Sequence, residues 1–252
     1  MPIPSGAPRP RNPGQIATGL LAWWRADTGV FADTGGTTPA TDGGPVARWN
    51  DLSGNGRHAT QATGASQPTY AANAISGYAG ITPATTQFLA VAAVAAAANT
   101  SLTLMTVFGR PSNTVGPSAI CSITAANAPP LQGILGVQWT PTPSELVQAI
   151  GRNNAGAGVA AAMDAGPGAN VVIGTLTTGG DIAGWAGATR AATNSGANHA
   201  NTANTNICAC GRSDTAVAAS SAPVAETAVW NRILSAEEIR SIIAYAKARY
   251  GL

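Results

Sequence analysis

The sequence predicts a mostly β protein, an antiparallel sandwich with a single C-terminal α-helix, and three observations point there. From Leu20 onward, short apolar segments recur between Gly, Asn, Pro and Thr residues, the rhythm of strands joined by turns and not of alternating strands and helices. Gly179-Gly180 parts two strand-like runs, 171–178 and 181–185, and supplies the positive φ angles of a tight hairpin. Residues 235–250 alone carry a clear helical pattern.

Taken in chain order, residues 1–16 hold five prolines and two arginines without apolar periodicity, so they are expected to form an extended arm. Its Pro8, Arg9, Pro10 and Arg11 are candidate contacts to a neighbouring subunit. Residues 17–252 then form one sandwich of roughly a dozen strands, a size that all-β domains reach as a single unit. Trp23 and Trp24 point to opposite faces of their strand, leaving one of them free for exposure. Residues 91–98 are alanine-rich but have no cap, and fit either a short helix or an irregular link. Residues 102–108 are apolar on both alternating faces, which predicts a central strand covered on both sides. At the end of the chain, Ser235 and Glu238 form a capping box, Leu234 can staple to Ile239, and Ile239, Ile242, Ile243 and Ala246 make one apolar stripe. Gly251 is placed to end that helix.

Composition narrows the function. Charged residues are 10% of the chain and the net charge is +2, too weak and scattered for a nucleic-acid footprint. The longest apolar run, 88–98, falls well short of the roughly 20 residues that span a bilayer. The first residues have prolines and arginines where a secretory signal needs an apolar core, so no export signal is expected. Cys121, Cys208 and Cys210 are odd in number and lack a C-x-x-C spacing; reduced core thiols are expected, with Cys208 and Cys210 on one face of a strand.

Three segments carry a family likeness: L-L-A-W-W-R-A-D-T-G-V (20–30), V-A-R-W-N-D-L-S-G-N-G-R-H-A-T (46–60), and the tail A-E-T-A-V-W-N-R-I-L-S-A-E-E-I-R-S-I-I-A-Y-A-K-A-R-Y-G-L (225–252). Together they resemble the concanavalin-A-like, laminin-G-like jelly-roll domains. The resemblance implies that the last strand and its helix close the sandwich against the first strand. Glycosidases of that fold imply a compact E-x-D-x-x-E-like motif, which is missing here. The four glutamates are Glu145, Glu226, Glu237 and Glu238, and none forms an acid pair along a strand. His58 and His199 have no Ser-Gly elbow or Cys partner nearby in sequence. No enzymatic role is expected.

Two other features invite a ligand. Asp51, Ser53 and Asn55 match the opening oxygen spacing of a calcium loop, but the twelfth position is Ala62 where a bidentate Glu belongs. Local turn bonds are the expected role of that loop, and calcium, as in lectins of the family, is the one cofactor to weigh against none. Among six tryptophans, Trp139 and Trp185 lie nearest to loops and are the candidates for stacking on a glycan. The family spans lectins, adhesion modules, enzymes and virion proteins. With no export signal and no disulfides, the expected role is a bacteriophage capsid decoration protein, made in the host cytoplasm, residing in the virion and oligomeric, with the major capsid protein as partner. The alternative is a lectin-like module or tail-fibre component that recognises host-surface glycans.

Overall fold

The computed structural model describes residues 8–110, 118–125, 133–140, 146–152, 158–163, 170–186, 189–195, 205–212 and 221–252. Two antiparallel sheets face one another. The first contains β1 (Leu20–Arg25), β5 (Thr69–Ile75), β6 (Tyr78–Thr82), β8 (Leu102–Phe108), β13 (Asn170–Leu176), β14 (Ile182–Ala186), β15 (Thr189–Asn194) and β17 (Val224–Trp230). Its order is β15-β14-β13-β8-β17-β6-β5, and β1 shares the same side of β17 as β6. The second contains β2 (Val30–Phe31), β3 (Arg48–Trp49), β4 (Ala59–Thr60), β7 (Phe88–Val91), β9 (Ser118–Ala125), β10 (Gly133–Thr140), β11 (Leu146–Arg152), β12 (Gly158–Met163) and β16 (Thr205–Gly211). They run in the order β12-β11-β10-β9-β16-β7-β4-β3-β2, so both sheets keep open edges and the architecture is a sandwich, not a closed barrel. Three two-residue strands, β2–β4, help to bring the described strands to seventeen, above the dozen expected.

β8 shows why two layers form on one sheet. Leu102, Leu104 and Phe108 point between the sheets and join Ile120, Leu135 and Val172, whereas Met105 and Val107 point outward into a second cluster with Ile173 and Trp230. All seven residues of the strand are buried, as its two-faced apolar pattern requires. The outer cluster is covered by α1 (Ala236–Tyr250), which lays Ile239, Ile242, Ile243 and Ala246 upon it. Each fully buried isoleucine contributes roughly 1.5–3 kcal/mol. The helix begins at the expected box: Glu238 N donates to Ser235 Oγ at 3.2 Å and Ser235 N to Glu238 Oε2 at 2.8 Å. Arg232 grips the same carboxylate with both terminal nitrogens, at 2.9 and 2.6 Å, and holds Glu238 down at about 2. Gly251, at φ +67°, ends the helix in the left-handed region.

Three expectations need correction. Residues 8–16 are not a free arm. Asn12 and Gln15 cap a 3-10 turn at Pro13–Gln15, Arg11 N donates to Ser241 O at 3.2 Å, and Ile16 is buried with its carbonyl accepting from Trp230 Nε1 at 2.8 Å. One asparagine, one glutamine and an N-terminal proline thus order a segment that looked too polar to fold. Trp23 and Trp24 do take opposite faces, but neither is exposed, because the cluster beneath α1 claims Trp23 while Trp24 enters the inter-sheet core. Cys208 and Cys210 do not share a face: a bulge between them turns both Ala209 and Cys210 into the inter-sheet core, which Cys208 does not join. All three thiols are free and buried, and burial pushes Cys121 up to about 12. Residues 91–98 resolve into the end of β7 and a 3-10 turn at Ala95–Ala97.

The β7–β16 edge turns on one glycine. Gly211 has φ +70°, and a Cβ there would stand 2.5 Å from the Gln87 carbonyl oxygen. Gly211→Ala is expected to cost about 3 kcal/mol and to lower the calorimetric midpoint by roughly 10 °C.

Candidate functional site

Beside the N-terminal half of α1, the outer face of β13–β15 is left as an open groove of about 810 Å3. The strand register assembles it. Thr175 pairs with Ala183, Ile173 with Trp185, and Trp185 with Arg190, so Thr175, Ala183, Trp185 and Arg190 all face the side on which the helix lies. A bulge between Gly184 and Trp185 on the β15 side re-aims the strand at that point. Gly184 lets β12 pack closely against this strand from the inter-sheet side, since a Cβ there would meet the Met163 sulfur at 2.5 Å. The opposite wall is the start of α1 and the residue leading into it: Leu234, Ala236, Ile239 and Arg240.

Trp185 is half-buried, packed at its base against the outer cluster, and the Arg190 guanidinium lies over its indole at 5.6 Å. Arg190 and Arg240 are both exposed, and among the described residues neither forms an ion pair. At the hairpin end, Asp181 N donates to Thr177 Oγ1 at 3.0 Å, which orients the carboxylate side chain at the groove's rim. The groove therefore combines an aromatic wall, a threonine and asparagine rim, and two guanidinium groups. Such a set binds polar, ring-shaped ligands by stacking and hydrogen bonding.

Trp139, the other stacking candidate, is not available. It is 4% exposed, on β10 between β9 and β11, and belongs to the inter-sheet core. The loop at Asp51, Ser53 and Asn55 uses its oxygens internally. Asp51 Oδ1 accepts from Trp23 N at 3.0 Å and Ser53 N at 2.8 Å, and Oδ2 from Ser53 Oγ at 2.8 Å and Arg57 N at 2.9 Å. Asn55 directs its amide nitrogen to the Leu20 and Leu21 carbonyls, at 2.9 and 3.0 Å. A carboxylate that accepts from four protein donors is a strut built of local turn bonds, and it is poorly set to hold calcium. Gly54 and Gly56, at φ +88° and +68°, let the loop double back. His58 Nδ1 accepts from Asp51 N at 3.2 Å in the same strut, and partial burial, then Arg48, push its pKa down. Of the proposed arm contacts, Arg11 is tied to Gln15 O, while Arg9 and Pro10 are exposed. His199 and Glu145 lie outside the described residues.

One polar cluster escaped sequence reasoning. Glu226, fully buried on β17, accepts from Trp23 Nε1 at 2.6 Å, Tyr250 Oη at 2.7 Å and Tyr245 Oη at 3.3 Å. Arg25 and Arg249 both pair with Asp27 nearby. Burial pushes the Glu226 pKa up against the hydrogen bonds and the two guanidinium groups that hold it down. A carboxylate alone in the apolar strand V-A-E-T-A-V-W was the signal, because a strand buried on both faces admits a charge only if partners await it. The cluster joins β1, β17 and α1, and its role is structural.

No protein-family profile and no curated protein matches the chain by sequence. Solved structures do match in shape. Trypanosoma rangeli sialidase in complex with sialic acid superposes at a TM-score of 0.57 and 16% identity over 91% of this chain and 33% of that one. The binding domain of Paraclostridial Mosquitocidal Protein 1 superposes at 0.60 and 9% identity over 91% of this chain and 52% of that one. The chain thus spans about a third of the sialidase and half of the mosquitocidal domain. At these identities the likeness is one of fold, and the fold it shows is the two-sheet β-sandwich.

Proposed function

We propose that the chain is a carbohydrate-binding module of the concanavalin-A-like type, with its ligand seated in the groove between α1 and β14–β15. The observation that carries this reading is Trp185, a half-exposed indole set in the wall of a groove that also presents hydroxyl, amide and guanidinium groups beside aliphatic ones. Support comes also from the shared sandwich of a sialidase solved with sialic acid and of a toxin's binding domain. Binding is favoured over cleavage: Asp181 is the sole carboxylate among the described lining residues, and glycosidases that work through two carboxyl groups place them about 5–9.5 Å apart. The capsid-decoration reading gains nothing from the fold or from these structures, and of its arm contacts Arg11 bonds the chain's own helix.

A glycan array probed with the purified chain tests the proposal. Binding to at least one glycan is expected, and Trp185→Ala should weaken it at least about tenfold, as loss of a central aromatic contact does. Thermal unfolding of that variant should shift by only a few degrees, since the ring is partly solvated already. Trp139→Ala should do the reverse, destabilising the sandwich by about 3–5 kcal/mol without selecting among ligands. An array with no glycan bound, or binding untouched by Trp185→Ala, overturns the reading.

A further inference from the structure

We propose that this groove selects acidic saccharides, those bearing a carboxylate or sulfate, over neutral ones. The inference rests on the carbohydrate-binding reading and specifies its ligand. Its basis is the arrangement of charge around the stacking ring. Arg190 and Arg240 approach the groove from opposite walls, one from the edge strand β15 and one from α1, while a single carboxylate, Asp181, sits at the hairpin end. Several other guanidinium groups of the described structure are engaged: Arg25 and Arg249 by Asp27, Arg232 by Glu238, Arg48 by Asn50 and the Thr34 and Gly35 carbonyls. In a chain with only 10% charged residues, two exposed cations without an ion pair facing one groove leave a local positive field that a ligand anion can neutralise.

The position of Arg190 adds a discriminating step. Its guanidinium covers the Trp185 indole at 5.6 Å, held there by attraction to the ring face. A sugar that stacks on that face must displace it. For a neutral sugar the displaced cation returns to water and its contact with the ring is lost. For an acidic sugar, the guanidinium moves from the ring to a carboxylate or sulfate, where two parallel N–H donors meet two acceptor oxygens. Arg190 therefore guards the ring against neutral rings and becomes a ligand for charged ones. Arg240, across the groove, fixes which end of the sugar carries the anion.

The test is titration of the intact chain with matched pairs: 3′-sialyllactose against lactose, and oligogalacturonate against its methyl ester. The acidic member of a pair should bind about tenfold or more tightly, with the preference shrinking as salt is raised, because exposed charges are screened. Arg190→Gln and Arg240→Gln should each remove about tenfold of the affinity for the acidic member. Arg190→Gln should also leave the neutral member unchanged or slightly tighter, since the ring is then uncovered. Arg190→Lys should restore part of the preference, as a point charge lacks the planar fork. Both arginines are exposed, so the thermal midpoints of these variants should match the parent. Equal binding of both members, or a preference indifferent to both substitutions, overturns the acidic-ligand inference while leaving the carbohydrate reading in place. Binding of neither member, with an array empty of all glycans, overturns the carbohydrate reading itself.

Discussion

Ile243→Asp is expected to remove about 5 kcal/mol of stability, a large part of the 5–15 kcal/mol that holds a typical domain. Ile243 is 2% exposed and rests in the outer cluster with Trp230, Met105 and Ile173. A carboxylate there would lose both the burial of the isoleucine and its own hydration. Of the helix's three cations, Arg240 and Lys247 are exposed and Arg249 is paired with Asp27. Urea unfolding reads the loss directly. Ala248→Asp places the same charge on the exposed side of α1 and should cost under about 1 kcal/mol, most of it from the unfavourable helix-end dipole. If both variants lose the same amount, the helix is not docked through its isoleucine face.

The second large effect belongs to Glu226. Glu226→Ala strands Trp23 Nε1 and Tyr250 Oη without an acceptor and opens a void, at a cost of about 4 kcal/mol. Glu226→Gln keeps an acceptor for Trp23, and its amide can donate to a tyrosine oxygen, so it should fold nearly as well as the parent. The two variants also separate charge from shape. Because burial raises the folded-state pKa of Glu226, the folded chain holds a proton more tightly than the unfolded chain does. Its contribution is therefore full below the ordinary carboxylate value and is lost as pH rises through the raised one. Glu238 runs the other way. Held at about 2 by Arg232, it stabilises above the ordinary value and loses that contribution as pH falls toward about 2. Urea midpoints of the Gln variant from about pH 4 to 8 should lack the decline that Glu226 imposes on the parent, with Tyr245, Tyr250, Arg25 and Arg249 unchanged around it. A parent whose stability climbs through that range would show that the Glu226 carboxylate is held down by its partners and not raised by burial.

How much of this could be read from the chain follows from how far apart the interacting residues lie. The C-terminal helix was legible because Ser235 and Glu238 are three residues apart, and the hairpin because Gly179-Gly180 sits inside its own turn. β8 was legible because both of its faces are apolar. Alternation and nearness to a loop do not reveal what covers a face, and so Trp139 is a stacking candidate in sequence while the opposing sheet buries it. Residues 12–15 did carry a local signal, Asn-Pro-Gly-Gln with a capping box, but the prolines around it masked the turn. The groove was half visible. Trp185 stood out beside its turn and Arg190 meets it through the β14–β15 pairing, whereas Arg240 reaches the groove only because α1 returns beside β13. The Glu226 cluster depends on Trp23, 203 residues away, and no window of sequence contains both.

That last separation sets an order of events during synthesis. Among the described residues β1 pairs with β17, and the ring of Trp23 joins the cluster that α1 completes. Until β17 and α1 have been synthesised, β1 has an unpaired edge and an exposed indole, a state in which neighbouring nascent chains can pair with it. Such distant closure slows folding, so the yield of soluble protein should depend on translation speed and on holding chaperones more than on the stability of the finished domain.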